Sequence, residues 1–177
     1  MSKTSSLHRE GAGKSKGILI ITCSSSRAVL ANSGKAFSDP SGEMIEKMMK
    51  ENGHHVYERK LIPDERETIN VILTEALQKD VIDTIIVTGG TGISEKDVTI
   101  EVVQKLIEKE LPGFGEIFRK ISYDEIGPAA ILTRAMAGIA SNKPIFCIPG
   151  SPDAVKRSLD KLVLPELPHI LKHAQGC

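Results

Sequence analysis

The stretch Ile85–Asp97, "IIVTGGTGISEKD", decides how this chain is read. Its first residues complete the run "VIDTIIVTGG", which predicts a strand ending at Gly89. That run is almost continuously apolar and β-branched, as a strand covered on both faces must be. Three glycines follow at Gly89, Gly90 and Gly92. They allow positive φ and a close approach of the backbone to a ligand, and successive amides there can form an anion-binding concavity. Thr88 and Thr91 add hydroxyl donors, and Lys96 can reach a phosphate as a point charge. The stretch spells neither of the two common phosphate-loop patterns, so it predicts a phosphate cradle of a generic kind. Asp97 needs a separate account, because a carboxylate repels phosphate unless a cation stands between them. Magnesium is held by one or two carboxylates together with phosphate oxygens and water. Alternatively, Asp97 caps a helix beginning near Thr99.

Working outward, two further buried strands are predicted, "GILIITC" (Gly17–Cys23) and "PIFCIPG" (Pro144–Gly150). "VYERKLI" (Val56–Ile62) alternates and predicts a half-exposed strand. Residues 24–42 read as a polar loop, with Ser41 as N-cap of a helix whose apolar stripe is Met44, Ile45, Met48 and Met49 and whose stop is Gly53. The methionines read as core fillers. A second helix starts at Pro63 and Asp64, where Asp64 and Glu67 have the spacing of a capping box. A third covers Thr99–Leu111 and stops at Pro112. Residues 114–128 predict a short helix and connector, followed by a strand or helix near Ile131 and a turn at Asn142 and Lys143. The last helix carries Pro165 and Pro168, so a break is expected there. Strands alternating with amphipathic helices predict an α/β three-layer sandwich with a mainly parallel sheet. Such sheets bind ligands beyond the carboxyl ends of their strands. "ITCSSSR", "VTGGTGIS" and "CIPGSPD" would converge there as one composite site.

Composition narrows the partners. The 177 residues carry 23 basic and 23 acidic side chains, with no Trp. Zero net charge gives no drive toward nucleic acid or a membrane surface, and aromatics are too few for base stacking. No apolar run is long enough to cross a membrane. Cys23, Cys147 and Cys177 lack paired spacing, which argues against zinc and for buried thiols in a reducing, cytoplasmic setting. No Ser-His-Asp or Cys-His arrangement is visible. His8, His54, His55, His169 and His173 lie outside the candidate loops and read as surface or structural residues. Residues 1–16 are small, polar and basic and read as a flexible arm. Residues 17–177 form the single domain.

The ordered blocks "IPDE", "GGTGISEKDVT", "PGFGEIFR", "ILTRAMAGI" and "PGSPDAV" resemble the MoaB/MogA family of molybdenum-cofactor biosynthesis proteins, with the arm and the "LANSGKAFSDPSG" loop closer to the MoaB branch. The resemblance spans Gly17–His173. It implies a fold of the molybdopterin-binding type, assembled as a homotrimer or hexamer. The implied activity is adenylylation of molybdopterin by MgATP with release of pyrophosphate; a non-catalytic molybdopterin carrier or scaffold is the alternative. It further implies that Asp64 and Asp97 are the catalytic and magnesium-holding carboxylates, which reverses the capping preference for Asp64. Ser24, Ser25, Asp39, Ser41 and Gly42 are implied to border the ligand site, with Thr133 and Arg134. Pro149, Gly150, Ser151 and Pro152 are implied to lie on the pterin side. Many relatives read "LSR" where this chain has "LTR", so Thr133 keeps the hydroxyl and adds a methyl to the pocket.

Overall fold

A computed structural model describes residues 13–34, 36 and 38–176. In chain order the elements are β1 (Ile18–Cys23), α1 (Ser25–Asn32), α2 (Pro40–Glu51), β2 (Val56–Ile62), α3 (Arg66–Gln78), β3 (Thr84–Thr88) and α4 (Thr99–Leu106). There follow β4 (Lys109–Glu110), α5 (Pro112–Ile126), a 3-10 segment (Gly127–Leu132), β5 (Met136–Ala140) and β6 (Lys143–Ile148). The chain closes with α6 (Pro152–Ser158), a π-helical turn (Leu159–Val163) and α7 (Leu164–Ala174).

The six strands form one sheet in the order β2-β1-β3-β6-β5-β4. β2, β1, β3 and β6 run parallel, while β5 and β4 add an antiparallel edge. The period-2 geometry of a strand divides its apolar residues between two cores. Leu19, Ile21 and Cys23 face one side with Ile85, Val87 and Ile145, covered by Ile69 and Leu73 of α3 and Val102 and Val103 of α4. Ile18 and Ile20 face the other with Ile86 and Phe146, covered by Ile45 and Met49 of α2 and by Val155, Leu167 and Leu171 of α6 and α7. The expected three-layer sandwich is therefore present. β2 is the parallel edge, which explains its alternation of half-buried and exposed residues. The chain passes from β1 outward to β2, then back across β1 to β3, so the order reverses between β1 and β3.

Several local expectations are corrected. Residues 24–42 contain α1, whose only buried apolar residue is Ala28; with Val29 and Leu30 exposed, it has no stripe to betray it. The N-cap of α2 is Asp39, not Ser41: its carboxylate accepts from the Gly42 amide and Pro40 follows, the position where a missing N–H costs nothing. Asp64 does not cap α3, whose N-cap is Glu65, and Asp97 does not cap α4, whose N-cap is Val98. α4 ends at Leu106 because β4 adds to the sheet edge before Pro112, and Pro112 begins a full helix, α5, in place of the short one expected. The hairpin turn is Ser141–Asn142, both at positive φ, as a tight right-twisting hairpin requires. The break expected at the prolines is the π-helical turn that ends at Val163, two residues before Pro165, whereas Pro168 sits inside α7; widening one turn makes room for the ring.

Ser15 and Lys16, expected within the arm, are held against the domain. Ser15 is 2% exposed and its hydroxyl donates to Asp83 Oδ1. The Lys16 amide donates to Asp83 Oδ2 at 2.7 Å, and the Ser15 amide to His54 Nδ1 at 3.0 Å. Residues 1–12 lie outside the described residues, as do His8 and Cys177. Cys23 and Cys147 are buried thiols. Burial pushes the Cys23 thiol up to about 12 and raises Cys147 as well. No helix is long and apolar enough to cross a membrane among the described residues.

Candidate active site

Parallel pairing brings the carboxyl ends of β1, β3 and β6 side by side, and their three loops touch. Gly89, at φ +95°, stands where a Cβ would run into the Cys23 carbonyl. A Cβ on Gly150 would lie 3.2 Å from the Gly89 Cα. The Gly89 amide donates to the Ile148 carbonyl at 3.1 Å, and the Thr88 hydroxyl donates to the Pro149 carbonyl at 3.0 Å. These bonds join the glycine loop to the PGSP loop. The cleft between them has a volume of about 350 Å³ and is lined by Gly89 to Gly92, Asp97, Ala129, Leu132, Thr133 and Pro149 to Ser151. A larger hollow of about 560 Å³, walled by Ile100, Leu111, Arg119 and Met136 among others, lies toward the antiparallel edge. It carries no glycine-rich loop, so the strand ends make the stronger site.

Asp64 lies behind this loop. Ser25 grips it twice at Oδ2, from its amide at 2.7 Å and its hydroxyl at 3.0 Å, and the Asp64 amide donates back to Ser25 Oγ at 2.9 Å. Its other oxygen, Oδ1, lies 3.4 Å from where a Gly90 Cβ would stand. Gly90 itself is at φ +63°, with no room for a side chain against Thr99 Oγ1. Among the described residues Oδ1 receives no donor. Asp97 closes its own loop: the Ser94 amide donates to Oδ2 at 2.8 Å and the Asp97 amide donates to the Ser94 carbonyl at 3.0 Å. Partial burial works to raise the Asp97 carboxyl, but the Ser94 and Gly92 hydrogen bonds and the Arg134 charge together hold it below its usual range. Thr99 Oγ1, fully buried beneath Gly90, has no oxygen or nitrogen partner among the described residues and lies beside the Cys23 thiol.

The predicted residues divide by task. Gly89, Gly90, Thr91, Gly92, Asp97, Thr133, Pro149, Gly150 and Ser151 line the cleft. Ser24, Ser25 and Asp64 form the adjoining wall at the ends of β1 and β2 and do not line it. Pro152 starts α6 behind Ser151, whose hydroxyl caps that helix. Asp39 is corrected from ligand border to internal strut: 2% exposed, it accepts from Thr22 at 2.9 Å, Gly42 at 3.0 Å and Arg59 at 3.2 Å. Gly42 is tucked against that same carboxylate, and Ser41 donates to the Gly150 carbonyl at 2.7 Å, tying α2 to the PGSP loop. Thr88 is likewise engaged inside the fold. Arg134 braces the glycine loop from below, donating to the Gly92 carbonyl at 2.7 Å, the Asp97 carbonyl at 3.0 Å and the Glu101 carboxylate. Lys96 is exposed and is not in the lining of either hollow that Asp97 lines.

Sequence reasoning passed over Ala129 and Leu132, delivered to the cleft by a 3-10 segment with no periodic signal, and Arg66, which follows the "PDE" block directly and could have been found there. The carboxylates fit a magnesium ion by their chemistry: Asp97 is ionised, and Asp64 keeps one oxygen without a donor. No cluster of three or more metal-ligating side chains exists among the described residues.

A mainly parallel sheet with a glycine loop and two carboxylates at one end defines an α/β domain with its candidate ligand cleft at the strand ends. The "Probable molybdopterin binding domain" family model matches residues 19–169. The chain is 40% identical over 164 residues to a Molybdenum cofactor biosynthesis protein B of Bacillus cereus, covering 92% of this chain and 93% of the relative. The tungsten cofactor synthesizing protein MoaB from Pyrococcus furiosus superposes with a TM-score of 0.79 at 39% identity, covering 93% of this chain and 99% of that one. The Mog protein from Mycobacterium ulcerans gives 0.81 at 27% identity, covering 93% and 100%. The chain belongs to the MoaB/MogA family of molybdenum-cofactor biosynthesis proteins.

Proposed function

We propose that this chain, a protein of molybdenum or tungsten cofactor biosynthesis, transfers the adenylyl group of ATP to molybdopterin. A terminal phosphate oxygen of the pterin attacks the α-phosphorus of ATP. The new P–O–P bond forms as the α–β anhydride bond breaks, and pyrophosphate leaves with the bonding pair. The nucleophile is already ionised near neutral pH, so no strong base is needed. A His-based arrangement that activates a neutral hydroxyl or thiol is then not required. Catalysis then rests on positioning and charge neutralisation. The loop amides of Gly90–Gly92 cradle phosphate, Arg134 holds that loop in shape, and Pro149–Ser151 form the facing wall. Asp97 and Asp64 would hold magnesium, which when bound neutralises phosphate charge and acts as a template. The carrying observation is one loop flanked by two aspartates: Asp97 in the cleft, held ionised, and Asp64 with Oδ1 beside Gly90. A cytoplasmic trimer or hexamer is part of the same proposal.

The test is pyrophosphate release from the purified protein with molybdopterin, ATP and magnesium. Release dependent on all three supports the enzyme; binding of pterin without release establishes the carrier in its place.

A further inference from the structure

Asp97 lines two hollows. Beside the cleft just described lies a second of about 270 Å³, walled by Arg66, Ile93, Ser94, Glu95, Asp97, Glu101 and Arg134. At about 30 Å³ per water, it holds roughly nine, enough for a pair of phosphate groups and part of their hydration. Arg66 separates this hollow from an ordinary surface dent. Arg59, Arg119, Arg134 and Arg157 each have their guanidinium engaged by a carboxylate or carbonyl. Among the described residues only Arg27 and Arg66 make no direct hydrogen bond or ion pair, and of the two Arg66 lines the hollow. Its charge is felt there, since it helps Arg134 hold the Glu101 carboxyl below its usual range, against burial.

The charges also specify the ligand. Glu101 is neutralised by Arg134 through two contacts, which leaves Arg66 and Asp97 as the charged residues of opposite sign in the lining, with Glu95 exposed beside them. A bare polyphosphate would be repelled by Asp97. A magnesium-complexed polyphosphate presents a cation to the carboxylate and phosphate oxygens to the guanidinium, whose planar fork suits phosphate. We infer that the outer hollow receives the magnesium-bound pyrophosphate group of the nucleotide, with Arg66 as its specificity-determining contact. The inference rests on the adenylyl-transfer reading, with Asp97 standing between the cleft where the α-phosphate reacts and the hollow that takes the leaving group. α3 carries Arg66 at its first turn, so helix amides add to the attraction for phosphate.

The experiment is calorimetric titration of magnesium pyrophosphate, and separately of AMP, into the full chain, Arg66→Gln and Arg66→Lys. Arg66 is exposed, so the variants should melt with the parent, which a thermal scan checks. The expected result is a loss of about tenfold or more in magnesium pyrophosphate affinity for Arg66→Gln, the size of a charge-assisted hydrogen bond. Arg66→Lys should recover part of that loss, and AMP affinity should be equal in all three. In turnover, Arg66→Gln should raise the KM for ATP and weaken inhibition by pyrophosphate. Equal pyrophosphate binding by parent and Arg66→Gln, or no binding by the parent, overturns the assignment. Pyrophosphate binding that depends on Arg66, in a protein that forms no adenylylated pterin, upholds the hollow and removes the catalytic reading instead.

Discussion

The two ends of the central strands are built from the same kinds of residue and do opposite things. At the amino end, Asp83 is 8% exposed and saturated: Ser15 Oγ, the Lys16 amide and Thr84 Oγ1 all donate to it. His54 sits beside it with Nδ1 accepting from Ser15. At the carboxyl end, Asp64 and Asp97 each have one oxygen pinned by a neighbouring serine, and both stand at a glycine loop that leaves β3, in which Gly89 is tied to Ile148 while Gly90 and Gly92 lie outside any helix or strand. Counting aspartates does not separate a strut from a ligand. The number of donors already aimed at the carboxylate does, because a saturated buried acid has no capacity left for a cation.

The largest expected effect tests the open end. Asp97→Asn keeps an acceptor for the Ser94 amide but loses the charge. Adenylylation should fall by roughly two orders of magnitude or more, with unfolding free energy within about 1 kcal/mol of the parent. Pyrophosphate release and a denaturant melt check both halves, and near-parent turnover would take Asp97 out of the mechanism. The reverse pattern is expected at the closed end. Asp83→Ala strands two buried hydroxyls and the part-buried Lys16 amide and should cost about 1–3 kcal/mol of stability, while kcat stays at the parent value in the folded fraction; a kcat loss beyond the folded fraction would break the contrast.

A pH scan sharpens it further. Burial first, then the Lys14 charge, lower the His54 pKa from 6.5, with Asp83 opposing. The unfolded chain therefore takes up a proton near 6.5 that the folded chain resists. Stability should be fully present above about 6.5, decline as pH falls below it, and level off once folded His54 also protonates. Thermal melts from pH 7 to 5 should show a component that His54→Gln lacks, and identical slopes would mean His54 does not contribute. The smallest effect concerns Cys23, directly below the glycine loop. With its thiol pushed up to about 12 by burial, it should remain unalkylated by iodoacetamide at pH 8 in native protein and react only after unfolding, as peptide mapping would show. Labelling in the native state would mean that the loop opens.

Much of this architecture was legible along the chain. The runs at Ile18–Cys23, Thr84–Thr88 and Pro144–Ile148 can only be strands with both faces covered, and the loops after them hold the candidate site. The helix caps were not legible. Asp64 and Asp97 have cap spacing in the linear chain, yet Ser25, 39 positions away, claims the first and a local turn at Ser94 claims the second. α1 escaped because eight residues with one buried apolar side chain give no period to detect.

What the chain carries in its own order is a period and a set of small residues: alternating burial, helix stripes, and glycines after the strands. Those are local properties, set by backbone sterics and the separation of apolar from polar surface, and they yield a mainly parallel α/β sheet with a glycine loop at one end. Which carboxylates remain available is a property of packing. Asp39 is sealed by Thr22 and Arg59, Asp83 by Ser15, and Arg134 is engaged under the loop, whereas Arg66 is not. Each of those outcomes depends on a partner distant in sequence, and a hydrogen-bond donor is assigned to one acceptor or another only when the sheet has closed.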